Sequence, residues 1–117
     1  MNDRCGSDRP IEVVNLLSGL PAASQDELFT TLLARPGVRI ERIVSIGHAS
    51  PPGFWYDQAH PEWVIVLQGA AELLFDDETI RMKTGDAILI PARRKHRVEA
   101  TTSDPPTVWL AVHFDET

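Results

Sequence analysis

The chain is 117 residues long, with a formal charge of −6, 43% hydrophobic and 24% charged residues. That suits one soluble domain, and its acidity excludes non-specific binding to nucleic acid or to an anionic membrane surface. The single cysteine, Cys5, excludes an internal disulfide and a cysteine-based zinc site.

The opening MNDRCGSDRP lacks the apolar core of a signal peptide, and no apolar run approaches the ~20 residues of a membrane span. The cytoplasm is therefore the expected compartment. Residues 1–10 are polar and read as a loose tail. One domain is expected over residues 11–117, with an N-terminal arm and helix over 11–36 and a barrel over 38–114. Residues 11–17, IEVVNLL, read as an edge strand or an irregular docking arm. Ser24 stands at an N-cap position with Glu27 at capping-box spacing. Leu28, Leu32 and Leu33 share a helical face, and Pro36-Gly37 is a stop signal. The pattern predicts a short helix near residues 25–34, packed outside the main sheet.

From Val38 the period changes. Val38, Ile40, Val44 and Ile46 alternate with Arg39, Glu41, Ile43 and Ser45, as in a half-buried strand. Arg42 breaks that parity and marks a barrel end or an interior polar contact. Residues 47–53 form a Pro-rich loop, and Phe54-Trp55-Tyr56 is a compact aromatic strand candidate. Ala59-His60-Pro61 is a turn, Trp63–Gln68 a buried strand, and Gly69 a bend before Ala70–Phe75. Asp76-Asp77-Glu78 is a hairpin tip with Thr79–Lys83 returning. Then come Ala87–Ile90, His96–Thr101 and Val108–Phe114, each preceded by a turn. Many short strands at this spacing predict an all-β sandwich or closed barrel.

Two segments carry a finer signal. Glu62 is followed by WVIVLQ and Gly69; Gly85 is followed, six and eleven residues on, by Pro91 and His96. These landmarks resemble the two motifs of the cupin superfamily, over roughly residues 38–114, and GFWYDQAHPEWVIVLQGAAELLF is similar to small single-domain cupins that have no established activity. The resemblance implies a jelly-roll barrel. In metal-binding cupins, two histidines and a Glu of the first motif join a His of the second around a divalent metal. Here only Glu62 and His96 stand at those positions. The paired histidines fall on Tyr56 and Gln58, or with a longer gap on Trp55 and Asp57. Arg93 stands where the second motif has Gly, and Ala100 where it has Asn.

His60 offers a replacement. Residues 56, 58, 60 and 62 share strand parity, so a compact turn converges Gln58, His60, Glu62 and His96 on one site. Two imidazoles, a carboxylate and an amide oxygen suit Zn, Fe, Ni or Mn. Pro61 is the geometric weakness, since it can turn His60 into solvent. Among the other groups, His48 reads as an exposed or hydrogen-bonded loop residue. His113 shares parity with Trp109 and Ala111, and a structural, hydrogen-bonded role is preferred to a lumen role. Arg93, Arg94, Lys95 and Arg97 read as a solvated loop, with an anion-binding rim as the alternative. Phe54, Trp55 and Tyr56 read as packing before ligand wall.

These readings leave three classes. One is a metal-dependent small-molecule enzyme with Glu62 as ligand or base; oxygenase, isomerase and decarboxylase chemistry all fit the resemblance. A second is a metal-free module binding or sensing a small molecule. A third is an accessory protein acting through a dimer surface. A homodimer is expected from the apolar arm.

Overall fold

The structure, a computed structural model, describes residues 9–116. Most of the expected N-terminal tail, with Cys5, lies outside the described residues. Among those described there are eight strands and no helix: β1 (Leu28–Arg35), β2 (Val38–Ser45), β3 (Glu62–Gln68), β4 (Ala70–Phe75), β5 (Thr79–Lys83), β6 (Ala87–Ile90), β7 (His96–Thr101) and β8 (Thr107–Phe114). They form two antiparallel sheets, in the orders β1-β2-β8-β3-β6 and β5-β4-β7. The fold is an all-β jelly-roll barrel.

The helix expected near residues 25–34 is instead strand β1. It pairs with β2 from Leu28↔Val44 to Arg35↔Val38, with a register shift between Thr31 and Leu33. Pro36-Gly37 is not a helix stop but a two-residue hairpin turn. Proline suits its first central position and Gly37 takes φ 85° at the second, a conformation that favours glycine. Glu27 does not close a capping box. It accepts a hydrogen bond from the Ser45 hydroxyl of β2, which ties the start of β1 to the barrel. Pairing to an open sheet edge has overridden a helical pattern that two adjacent threonines already weakened.

The aromatic run 54–56 also corrects the sequence reading. It forms no strand; Tyr56 makes one isolated bridge to His96, and Phe54 and Trp55 are left 42% and 36% exposed. The segment at residues 11–17 is irregular, with Ile11 and Val13 almost fully exposed. Arg42 fastens the arm: its guanidinium donates to the Leu16 carbonyl at 3.2 Å. His48 does the same from a loop, accepting from the Ile46 N–H at 2.8 Å and donating to the Ser24 carbonyl at 3.0 Å.

Between the sheets Val64, Val66, Leu73, Phe75, Met82, Ile90, Trp109 and Ala111 form the core. Gly69 is the only residue between β3 and β4, and there the chain leaves one sheet for the other. Its φ of 84° makes the turn, and the Thr102 and Thr107 side chains close against it.

Candidate functional site

Strand order places the site. Because β8 lies between β2 and β3, cross-strand pairing sets Glu62 opposite His113 and His113 opposite Arg39, while Ile90 of β6 pairs with Glu62 on its other side. These four side chains form one row across the inner face. In the next row Glu41 faces Ala111, which faces Val64. Ala111 is fully buried between them. His96 enters from the other sheet, opposite Phe75 of β4. The result is a cavity of about 350 Å³ bounded by both sheets, by Tyr56 and Gln58 from the loop, and by Glu27 and Phe29 from the β1 side.

Glu62 is the centre of its polar end. It is 9% exposed and accepts from the Gln58 amide at 2.9 Å. His96 Nε2 lies 4.0 Å from one carboxylate oxygen and His113 Nε2 3.9 Å from the other. His96 Nδ1 is 2.9 Å from the Arg94 carbonyl oxygen. A carbonyl only accepts, so Nδ1 carries a proton, and in the neutral ring Nε2 is then a bare lone pair turned to the cavity. The ring is stacked on Tyr56, centroids 5.2 Å apart at 21°.

His113 is held at both nitrogens. Nε2 donates to Glu41 at 3.1 Å, so in the neutral ring Nδ1 accepts from His60 Nε2 at 3.1 Å. Hydrogen bonds therefore run one way, from half-buried His60 through buried His113 to Glu41. On the far side, Trp109 Nε1 donates to the Ser45 hydroxyl at 3.1 Å, and that hydroxyl donates to Glu27. The Tyr56 phenol is pushed above its ordinary value, first by burial and then by the negative charges of Glu27, Glu62 and Glu41.

Of the four residues expected to converge, Gln58, Glu62 and His96 do so. His60 reaches the site only through His113. His113, for which the lumen role was the less favoured alternative, lines the cavity, as do Glu41 and Glu27, which were not anticipated there. For His113 the signal was its parity with Trp109 and Ala111; for Glu41 it was its place with Arg39 on one face of β2. The basic loop is not a rim of the cavity. Arg93 turns to Asp57 at 3.4 Å, Arg94 to Asp77 at 3.1 Å, and Arg97 to the Ser50 and Pro51 carbonyls and to Glu99. Arg93 nevertheless explains the motif it departs from. Its φ is 64°, in the region glycine adopts freely, and its N–H donates to the Gln58 carbonyl at 2.7 Å.

As arranged, these donors do not fit a transition metal, which needs three or more protein ligands. Glu62 and His96 offer free lone pairs, but both nitrogens of His113 are engaged and Gln58 turns its NH₂ to the carboxylate. Among the described residues no three His, Cys, Asp or Glu side chains are grouped as an ion requires.

The chain belongs to the cupin family: residues 43–113 match the model of the cupin domain. A solved structure from Ralstonia eutropha JMP134, called a "putative mannose-6-phosphate isomerase", is 45% identical to it, with 91% of this chain and all of that one covered and a TM-score of 0.87. A cupin superfamily protein from Desulfitobacterium hafniense DCB-2 is 22% identical, covering 93% of each chain with a TM-score of 0.73. A conserved Streptococcus pyogenes protein of unknown function is also 22% identical, covering 93% of this chain and 91% of its own, with a TM-score of 0.73. No curated protein matches the chain. Among the described residues no helix is long and apolar enough to cross a membrane.

Proposed function

We propose that this cupin binds a small organic molecule inside the barrel, at a site that Glu62 and His96 build without a metal. The observation that carries the reading is the convergence of buried, electron-rich groups around Glu62 in a cavity that apolar side chains also line, the arrangement of a ligand pocket. Apolar side chains such as Val64, Leu73 and Trp109 take the body of the ligand, and Glu62 with His96 Nε2 fix its orientation.

The test has two arms. Zinc and nickel are titrated into protein purified without a metal-affinity tag, and a small-molecule library is screened by thermal shift, each with His96→Ala and His60→Ala beside the wild type. The expected result is no saturable metal uptake and stabilising compounds whose effect is lost in His96→Ala. Stoichiometric uptake lost in His96→Ala would overturn the metal-free reading and favour Zn, Fe, Ni or Mn on Glu62, His96, Gln58 and His60.

The name of the Ralstonia protein favours a second reading, isomerisation of a phosphorylated sugar with Glu62 moving the proton. Against it, Arg39 is the only Arg or Lys among the described residues on the cavity wall, and its guanidinium lies 3.7 Å from Glu41. Turnover of mannose 6-phosphate that disappears in Glu62→Gln would establish this second reading.

A further inference from the structure

The cavity carries an excess of negative charge. Three carboxylates, Glu27, Glu41 and Glu62, line it against one guanidinium, that of Arg39. With neutral imidazoles the balance is two negative charges. Arg39 is 45% exposed on its side chain, so its charge is the better screened. A second observation is independent of the carboxylates. The His96 side chain is 6% exposed, and its Nε2 has no hydrogen-bond partner among the described residues although it faces the cavity. Its Nδ1–H is fixed on the Arg94 carbonyl, so in the neutral ring this buried atom is an acceptor awaiting a donor. The groups at the inner end thus ask a ligand for N–H or O–H donors, and the field around them asks for positive charge.

We propose that the ligand is a small organic cation, whose protonated nitrogen donates to Glu62 and to His96 Nε2 while its apolar body packs toward Trp109. Glu27 and Glu41 add long-range attraction, each held in place by its own partner, Ser45 and His113 respectively. The Tyr56 phenol is subject to the same field, since burial and these three carboxylates keep it in its neutral form. Anions are disfavoured by the same balance. A phosphate or carboxylate would meet three like charges with one exposed guanidinium to compensate.

This inference rests on the pocket reading above and deepens it. It is tested on the full chain by isothermal titration with benzylammonium, benzyl alcohol, benzoate and mannose 6-phosphate at neutral pH. Benzylammonium is expected to bind roughly tenfold or more tightly than benzyl alcohol, the scale of a charge-assisted hydrogen bond, and the two anions more weakly still. In Glu62→Gln that preference falls by about tenfold. Glu27→Gln lowers it by a smaller factor and serves as the readout if Glu62→Gln does not fold. Tighter binding of either anion, or an unchanged preference in the folded variants, overturns the proposal. Binding of benzyl alcohol or benzoate that is lost in His96→Ala, without a preference for the cation, sinks the cation and keeps the pocket. Failure of all four compounds to bind overturns both.

Discussion

Replacing Gly69 by alanine tests the single-residue crossover between the sheets. A Cβ there would lie 2.5 Å from Thr102 Oγ1, 2.8 Å from Thr107 Oγ1 and 2.9 Å from Thr107 Cα. The last atom is backbone of β8 and cannot rotate away. Three costs follow. The left-handed backbone costs an L-residue about 1–2 kcal/mol. Overpacking against fully buried Thr107 adds about 1–3 kcal/mol. The two hydroxyls, 2.7 Å apart, also serve the Ala70 N–H and C=O, and displacing either adds about 1 kcal/mol. The sum, about 3–6 kcal/mol, is a large share of the ~5–15 kcal/mol that holds a domain together. For this size it lowers the melting temperature by roughly 12–25 °C. Gly85→Ala is the control. Its φ is 93° but nothing lies within 4 Å of the new Cβ, so only the dihedral cost applies, roughly 4–8 °C. Thermal melts followed by circular dichroism compare the two. Equal losses would show that the close approach to β8 does not constrain the crossover, and would refute the steric account.

Ser45→Ala removes the acceptor of Trp109 Nε1 and the donor to Glu27 at a fully buried position, and is expected to cost about 2 kcal/mol in urea unfolding. Tyr56 is the only tyrosine, so near-ultraviolet titration reads it alone and should show its ionisation above the ordinary phenol value. A raised folded-state value means that its stabilising effect is intact below the unfolded value and lost as pH rises through the folded one. Tyr56→Phe should therefore lose less stability than the wild type on the alkaline side, as pH-dependent melts would show. Strand β1 pairs on one side only and exposes Leu28, Phe29, Leu32 and Leu33; a homodimer through this edge and the apolar arm is expected, and a monomer by light scattering at micromolar concentration would count against it.

What could be read from the chain alone divides along a physical line. Strands β2 to β8 were legible because alternation and Gly, Pro or Asp turns are local signals. Glu62 and His96 were legible because motif spacing is local too. Glu41 and His113 were not placed in the site, since they meet Glu62 only through the order β2-β8-β3, which no local pattern contains. Glu27 was misplaced because Ser24 and Glu27 fit a capping box as well as they fit a segment leading into a strand. Leu28, Leu32 and Leu33 satisfy helical spacing, and only the vacant edge beside β2 decides otherwise.

Strand β8 is last in chain order yet central in the larger sheet, between β2 and β3. A ribosome releasing this chain must deliver residues 107–114 before β2 and β3 can be joined. Until then both carry an unpaired edge, and neither His113 nor Trp109 is there to complete the cavity. Closure of the larger sheet is thus non-local and late, which slows folding and exposes strand edges to other chains during synthesis. Loss of this one strand would split the larger sheet into the pairs β1-β2 and β3-β6 and remove His113 and Trp109 from the cavity wall, so the sheet and the site depend on the same eight residues.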